Sequence, residues 1–287
     1  MPAPAVVEGI TVEPFFLDGP AGRLFAAHHR PGRAQDTRAQ VLVVPPFNEE
    51  MNRCRSMVTQ QAIAFARIGV GTLVLDLHGT GDSAGEYRDA RWHIWLHDIL
   101  AARRWLALQP GGCKALLGIR LGGILAAQAL AQSGSPTTAL GIWQPVADGK
   151  THLTQFMRVR MAAQLDRPHL PKETTNSMRE QLARGETLEV AGYEIHPQLA
   201  QAIDQARLID HPPPAATPVA WLEATAGDKT DAAPASQKVM AHWQDSGAQL
   251  AHLPYAGPAF WQVHERVLAP ALIAQTCQWM QAILATP

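Results

Sequence analysis

Apolar segments alternate with helical patterns between residues 40 and 145. Consecutive apolar residues dominate four short segments, which read AQVLVVPPF, VGTLVLDL, KALLG and TTALGIWQPV. Such runs are typical of strands that are buried on both faces of a sheet. Helical periodicity lies between them, in MVTQQAIAFARIG, ARWHIWLHDILAARRWLAL and LGGILAAQALAQSG. Because strands that alternate with helices form parallel sheets with crossovers, we predict an α/β protein with a mostly parallel central sheet flanked by helices.

The alternation stops at about residue 146 and resumes near residue 214. The segment between is more polar and mostly helical, with a hairpin predicted in ETLEVAGYEIHP, and it ends in the proline cluster HPPPAATP. Outside it we predict an opening hairpin from GITVEPFFL and GRLFAAHHR, strands in TPVAWLEA and AQLAHLPY, and a closing helix over FWQVHERVLAPALIAQTCQWMQAIL. The prediction is one core, residues 1–145 and 214–287, that carries a mostly helical lid, residues 146–213.

Composition argues against several classes of partner. The 287 residues carry a formal net charge of −1, which gives no basis for binding nucleic acid or an anionic membrane. No apolar run approaches the ~20 residues that span a bilayer, and the first residues lack a signal-peptide pattern, so we expect no integral membrane segment and a cytoplasmic location. The wide spacing of the three cysteines argues against a disulfide framework and against a zinc site. We expect no metal and no cofactor, and the oligomeric state stays open.

Arg120 lies at the centre of a G-x-x-x-G sequence, Gly118-Ile119-Arg120-Leu121-Gly122, between a predicted strand and a predicted helix. This order matches the nucleophile elbow, a sharp strand-to-helix turn whose middle residue is normally serine. Glycines flank such a turn because backbone and helix pack closely around a strained residue. A guanidinium cannot attack a carbonyl, so the residue at the centre of this turn has some other role.

Two further segments lie where α/β-hydrolases carry functional loops. DLHGTGDSAG, residues 76–85, resembles their D-x-x-G-x-G-x-S loop, and VVPPFN, residues 43–48, lies at the place of their oxyanion-hole loop. Longer stretches, PPFNEEMNRCRSM, LVLDLHGTGDSAGEYRDARWHIWLHD and GIWQPVADGKTHLTQFMRVR, resemble the family called hydrolase 2, exosortase A system-associated. The resemblance covers nearly the whole chain. It implies an α/β-hydrolase fold encoded near bacterial exopolysaccharide and protein-sorting genes, but it implies no particular substrate.

A catalytic triad can be tested at three positions. Arg120 stands at the position of the nucleophile, whereas the acid has two candidates, Asp228 and Asp231, in the loop TAGDKTD. The base is normally a histidine just before the final helix, but that stretch reads Gly257-Pro258-Ala259-Phe260-Trp261. His264 follows, placed by its pattern inside the helix, and it is the remaining candidate base. Acyl transfer by the usual serine mechanism is therefore not supported.

Other nucleophiles are conceivable, and each also has a structural interpretation. Cys54 lies between Arg53 and Arg55, which could lower the pKa of its thiol, but it is also placed to face the core. Ser83 and Asp76 are both suited to ordering the glycine-rich loop. We favour the structural interpretation for all three, and a cysteine hydrolase is the weakest of the functional hypotheses.

Arg120 at this turn has two possible roles, which are not exclusive. With the backbone N–H groups of a helix N-terminus, its guanidinium would bind or polarise a carboxylate or phosphate. Alternatively Glu49 or Glu50 would pair with it and fill the old pocket, since a buried arginine needs such a partner. A carboxylate, Arg120 and His78 together could support water-mediated hydrolysis. The side chains that we expect to contact a ligand are Phe47, Asn48, Glu50, Leu121 and Trp143.

The sequence leaves two hypotheses about function. In the first, the chain is an atypical hydrolase or acyl-transfer enzyme that acts on an ester-type bond of a cell-surface polymer precursor. In the second, it is a catalytically inactive protein that binds an anionic ligand or serves as a scaffold for a partner. In both, the expected ligand is a small molecule or a glycolipid or polysaccharide precursor.

Overall fold

A computed structural model describes residues 5–7, 9–133, 138–164, 173–225 and 231–285. A nine-stranded sheet forms its centre, in the spatial order β1-β2-β3-β5-β4-β6-β7-β10-β11. The strands of the structure, including a separate two-stranded hairpin, are β1 Ala5–Val7, β2 Ile10–Gly19, β3 Gly22–Pro31, β4 Ala39–Val44, β5 Val70–Leu75, β6 Cys113–Ile119, β7 Ala139–Trp143, β8 Leu188–Val190, β9 Tyr193–Ile195, β10 Pro218–Thr225 and β11 Gln249–Ala256.

The sheet is mostly parallel, as predicted. Strands β5, β4, β6, β7, β10 and β11 run parallel to their neighbours in that order. The predicted opening hairpin, β2 and β3, joins the sheet antiparallel to β5. Every residue of β4 and β7 is buried, which is the physical reason for their continuous apolar sequence.

Helices cover both faces of the sheet. They are α1 Glu49–Arg67, α2 Trp92–Ala107, α3 Gly122–Ser133, α4 Gly149–Gln164, α5 Thr175–Ala183, α6 Pro197–Gln205, α7 Pro234–Asp245 and α8 Pro270–Ala285. Helices α1 and α8 share one apolar cluster with the sheet, and α2 and α3 share the other. This three-layer arrangement places the carboxyl ends of β4, β6 and β7 next to one another at one edge.

Two helix boundaries differ from the sequence prediction. Helix α1 begins at Glu49, eight residues before the predicted Met57, because its polar first turns hide the apolar periodicity while two acidic residues suit a helix N-terminus. Helix α8 begins at Pro270 rather than near Phe260, since a proline is accommodated in a first turn but not in a helix interior. The first difference places Glu49 and Glu50 at the sheet edge, and the second leaves His264 in a loop.

The chain leaves the sheet after β7 and returns with β10. The segment between them, residues 146–213, is called the insertion below and contains α4, α5, α6 and the predicted hairpin, in which Leu188 pairs with Ile195. Its buried apolar residues belong to the same cluster as α2 and α3; among them are Leu153, Met157, Leu199 and Ile203. The insertion is thus packed onto the core, and α4 lies beside the edge where β4 and β6 end.

Candidate functional site

Backbone strain is concentrated where three adjacent strands end. Asn48, Arg120 and Gln144 have φ angles of 51°, 54° and 45°, values that side chains larger than glycine rarely adopt. Arg120 directly follows β6, Gln144 directly follows β7, and Asn48 lies between β4 and α1. Strained residues persist only where the surrounding structure holds them, and they cluster at functional sites. This edge of the sheet is therefore the candidate site.

The turn at Arg120 has the geometry of a nucleophile elbow. The Arg120 N–H donates to the carbonyl of Trp143 at 2.9 Å, and Gly123 N–H donates to the carbonyl of Arg120 at 3.0 Å. A Cβ atom on Gly122 would lie 2.3 Å from the carbonyl oxygen of Pro45 and 2.6 Å from that of Val44. Only glycine permits this close approach between the start of α3 and the end of β4. The prediction that a glycine flanks the turn because the backbone and the helix pack closely is confirmed at Gly122.

The Arg120 guanidinium is held from three directions. Its Nε donates to Glu50 Oε1 at 3.1 Å, and its Nη1 donates to the carbonyl of Gln144 at 3.1 Å. The ring of Trp261 lies beneath the guanidinium, with 5.3 Å between Cζ and the ring centroid, a cation–π contact. Of the two glutamates that could pair with Arg120, the structure selects Glu50.

Glu50 and His152 face each other beside this ion pair. Glu50 Oε2 and His152 Nε2 are 3.9 Å apart, and neither atom has a hydrogen-bond partner among the described residues. Burial raises the pKa of Glu50, although Arg120 opposes the shift. Burial, and secondarily Arg120, lowers the pKa of His152 to about 3, so the imidazole is neutral at pH 7. His152 lies in the first turn of α4 with its ring against Phe47, at 5.9 Å between ring centroids.

An open cleft of about 270 Å³ lies over these groups and is called the Arg120 cleft. Its lining combines the aromatic rings of Phe47, Phe156 and Trp261 with two glutamates, two arginines and His152. None of the lining residues that the structure describes is a serine, threonine or cysteine. The polar side chains of the cleft can donate and accept hydrogen bonds, and its aromatic rings can exclude water from them. The described lining offers no hydroxyl or thiol for covalent catalysis.

Glu49 and His264 lie at the rim of the cleft rather than at Arg120. Glu49 lines the cleft and approaches Arg53 at 3.9 Å, one helical turn along α1. Arg53 Nη2 is 3.3 Å from Nε2 of the exposed His264, and Arg53 Nη1 donates to the carbonyl of Gln262. The prediction that His264 lies inside the final helix is wrong because α8 begins only at Pro270.

His78 is not among the residues that the structure brings to Arg120. Its ring packs against Gly85, where a Cβ atom would come within 2.5 Å of it. The His78 N–H donates to Asp98 Oδ2 at 2.9 Å, and the His78 carbonyl accepts from Trp95 Nε1. These contacts hold His78 against α2, so it cannot complete the predicted trio with Arg120 and a glutamate.

Trp143 is also excluded from contact with a ligand, contrary to its place among the expected ligand contacts. The side chain is fully buried, with its Nε1 donating to Thr276 Oγ1 at 3.0 Å and its ring against Phe260. From its position at the end of a central strand, Trp143 could either contact a ligand or pack in the core. In the structure α8 covers it, and it packs in the core.

Phe47, Asn48 and Leu121 lie together on the other side of the elbow. They border an apolar cavity of about 20 Å³, room for about one water molecule. Asn48 Oδ1 accepts a hydrogen bond from the Tyr87 hydroxyl, which fixes the loop between β4 and α1. Phe47 reaches both this cavity and the Arg120 cleft. The predicted acid, Asp228, lies outside the described residues.

The alternative nucleophiles have structural contacts. Cys54 is fully buried, and burial raises the pKa of its thiol far above its usual range, which removes the reactive thiolate. Ser83 Oγ donates to the carbonyl of Asp76 at 2.6 Å and accepts from the N–H of Phe25. The Asp76 carboxylate pairs with Arg55 at 3.2 Å. These contacts are of the structural kind expected from the sequence.

Three residues of the site were not singled out from the sequence for their present roles: Gln144, His152 and Trp261. Gln144 had a usable signal, because it directly follows a central strand at the edge where sites form. Trp261 lies in the stretch where a histidine was sought. His152 had no local signal, since only the packing of the insertion brings it to Glu50.

His152 gives the site a measurable pH dependence. Above pH 6.5 its imidazole is neutral in the folded and unfolded chain, but between pH 6.5 and about 3 only the unfolded chain takes up the proton. The free energy of unfolding therefore falls as the pH falls through this window. Between pH 7 and pH 5, we expect the free energy of unfolding of wild type to fall by roughly 2 kcal/mol more than that of His152→Phe. Urea unfolding at the two pH values measures this difference.

The matched control for this prediction is His93→Phe, at an exposed position on α2. The raised pKa of Glu50 acts in the opposite sense, because it favours the folded state at low pH, but Glu50 is retained in all three proteins. Equal losses in wild type and His152→Phe would show that His152 is not buried in its neutral form.

Comparisons with known proteins identify the fold. No protein-family model matches the chain, and no curated protein matches it. The solved structure of Est1E from Butyrivibrio proteoclasticus with ferulic acid bound superposes with a TM-score of 0.65 and 17% identity, covering 95% of this chain and all of that one. The chain has the α/β-hydrolase fold.

Two further hydrolase-fold structures extend the comparison. The Pyrococcus furiosus esterase PF2001 matches with a TM-score of 0.58 and 11% identity, over 96% of this chain and 91% of that chain. XC6422 from Xanthomonas campestris, an α/β serine hydrolase without a lid, matches with a TM-score of 0.53 and 16% identity, over 96% and 97%. Identities this low establish the fold of this chain and not its chemistry.

Two residues of the site contact each other from distant parts of the chain. Arg120 lies in the turn between β6 and α3, and Trp261 lies in the loop before α8. The cation–π contact between them covers one face of the guanidinium.

Proposed function

We propose that this protein binds its ligand non-covalently in the Arg120 cleft and forms no acyl-enzyme intermediate. One observation carries the proposal. At the centre of the elbow, a guanidinium is tied to Glu50 and to the carbonyl of Gln144, and no hydroxyl or thiol lines the cleft among the described residues. A covalent mechanism needs a nucleophilic side chain, and the described lining of the cleft supplies none.

The cleft has the features of a binding site for a small molecule or for part of a larger precursor. It is a concave space with aromatic walls and a few convergent polar groups. The proposal that the ligand belongs to exopolysaccharide or glycolipid synthesis rests on the resemblance of three sequence stretches to the exosortase A system-associated hydrolases. Among the described residues, no helix combines the length and the apolar character that crossing a bilayer requires.

Water-mediated ester hydrolysis is the second candidate, and one observation favours it. Glu50 Oε2 is buried without a partner and the pKa of Glu50 is raised, which are properties of a general base. In this mechanism Glu50 would take a proton from water, and Arg120 would stabilise the negative charge that develops on the ester carbonyl. The reaction would produce an acid and an alcohol without a covalent intermediate.

A fluorophosphonate label and a panel of p-nitrophenyl esters distinguish these possibilities. We expect no labelling and no burst of p-nitrophenol from wild type, because both need an activated nucleophile. Steady hydrolysis that is lost in Glu50→Gln and kept in Cys54→Ala and in the surface control Glu180→Gln would support the second candidate. Labelling, or a burst that disappears in Cys54→Ala, would overturn both candidates.

A further inference from the structure

The polar groups of the Arg120 cleft impose a definite charge on its ligand. The lining contains two carboxylates, Glu49 and Glu50, and two guanidiniums, Arg53 and Arg120, so the formal charges cancel. Arg120 already uses Nε and Nη1 for protein contacts, and these atoms are not free to form a bidentate fork with a carboxylate or phosphate. A guanidinium at the base of the cleft would by itself favour an anionic ligand. Because Glu50 and the Gln144 carbonyl already occupy two of its nitrogen atoms, the cleft is poorly suited to an anion.

The unsatisfied atoms of the cleft point to the chemistry that would fit. Glu50 Oε2 is an acceptor without a donor, and the neutral His152 Nε2 opposite it is also without a partner. Two donors from other lining residues, Trp261 Nε1 and Arg53 Nε, are likewise buried without a partner among the described residues. Unsatisfied buried polar groups are costly, so a ligand that satisfies them gains affinity.

A hydroxyl group satisfies both Glu50 and His152, because it donates one hydrogen bond and accepts another. Two atoms 3.9 Å apart can share one oxygen that lies about 2.8 Å from each, with an angle of roughly 90° at that oxygen. Both atoms are covered in the described structure, so the ligand reaches them when the side chains over them move aside. An anionic oxygen could accept from His152, but it would meet the Glu50 carboxylate with the same charge. The aromatic rings of Phe47 and Phe156 supply apolar walls for the carbon framework of such a ligand.

We propose that the Arg120 cleft takes an uncharged, hydroxyl-rich ligand, one of whose hydroxyl groups bridges Glu50 Oε2 and His152 Nε2. The proposal rests on the non-covalent function proposed above and assigns His152 as a ligand-contacting residue. Arg120 then acts as a positioning residue: its charge favours the ionised, accepting form of Glu50, and its hydrogen bond to Oε1 leaves Oε2 for the ligand.

Matched pairs of sugars and uronates test the charge preference. The probes are D-glucose and D-glucuronate, D-galactose and D-galacturonate, and D-mannose and D-mannuronate, which differ within each pair only by a hydroxymethyl or a carboxylate. Affinities of the full chain would be measured by saturation-transfer NMR titration. We expect at least one neutral sugar to bind, and to bind roughly tenfold more tightly than its uronate, because the uronate places like charges together.

Two variants locate the bound sugar. His152→Phe keeps a ring against Phe47 and removes the nitrogen, so we expect it to weaken binding of the neutral sugar about fivefold, whereas His93→Phe leaves binding unchanged. Glu50→Gln, a second variant for the case that His152→Phe does not fold, should also weaken binding. Unchanged affinity in both variants would overturn the proposal.

The remaining outcomes separate the two proposals. Tighter binding of a uronate would overturn the preference for an uncharged ligand and leave the non-covalent function standing. Binding of neither member of any pair would overturn the hydroxyl-rich ligand and remove the support for a binding function in this cleft. A fluorophosphonate-labelled protein would overturn the non-covalent function itself.

Discussion

We expect Arg120→Met to lower the free energy of unfolding by about 3 kcal/mol at pH 7, because it leaves the Glu50 carboxylate buried without its partner. The Arg120 and Glu50 side chains are only 13% and 16% exposed, so solvent screens the pair weakly. Glu50→Leu leaves Arg120 with only the Gln144 carbonyl and the Trp261 ring, and we expect a loss of similar size. The double variant Arg120→Met/Glu50→Leu recovers most of the stability, since it removes both charges and fills the same volume.

Urea unfolding of the four proteins measures this cycle, and we expect a coupling energy of about 2 kcal/mol or more. The matched control is the exposed pair of Arg207 and Asp210, whose side chains are 58% and 42% exposed and whose coupling should be below about 0.5 kcal/mol. A coupling between Arg120 and Glu50 as small as that of the control would show that the pair is hydrated and that the cleft is more open than described.

The stability that the protein loses through Arg120→Met should also depend on pH. Without Arg120, burial raises the pKa of Glu50 further, since the favourable charge is gone. Glu50 then becomes protonated at a higher pH, which removes the buried charge. The difference in stability between wild type and Arg120→Met should therefore shrink as the pH falls from 7 to 5.

Gly122→Ala destabilises the protein by about 3 kcal/mol, the second large effect that the structure predicts. The added Cβ atom would meet two carbonyl oxygens, at 2.3 Å in Pro45 and 2.6 Å in Val44. Both are backbone atoms at the end of a buried central strand, so neither can move without disturbing the sheet. The same displacement would shift the loop that carries Phe47 and the start of α1, where Glu50 lies, and we expect ligand binding in the cleft to fall with stability.

Gly257→Ala is the control for this substitution. A Cβ atom at Gly257 would meet only side-chain atoms, the Ala269 methyl group at 3.2 Å and two ring carbons of Tyr255 at 3.3 Å. Because these distances are much longer than those at Gly122, we expect a loss below about 1 kcal/mol. Thermal and urea unfolding of the two variants would be compared. Equal stabilities would mean that the elbow is not packed against β4 as the structure describes.

Most of the fold could be predicted from the sequence, because each signal was local. The strands β4 and β7 are buried along their whole length and β5 and β6 along most of it, so all four are mostly apolar, and the helices between them carry their own periodicity. The elbow was placed correctly because a G-x-x-x-G sequence between a strand and a helix has a steric reason that does not depend on distant residues. The start of α8 was missed because its proline was read as lying inside a longer helix.

The sequence reduced the candidate partners of Arg120 to Glu49 and Glu50 but could not distinguish between them. Glu49 and Glu50 are adjacent in the chain, yet neighbours on a helix point about 100° apart, so only one of them can face the elbow. Which one does depends on where α1 begins and how it lies against the sheet. The long-range packing of Cys54, Met57 and Phe65 in the core decides it.

The sequence by itself determined the sheet, the strand-to-helix turn and the arginine at the centre of that turn, since these follow from local periodicity, turn sterics and residue identity. Only the tertiary structure decided what surrounds that arginine. Glu50 is 70 residues away in sequence, and Trp261 and His152 come from the loop before α8 and from the insertion. Contacts of this kind depend on how separate layers pack, and packing is a property of the assembled core that no single segment encodes.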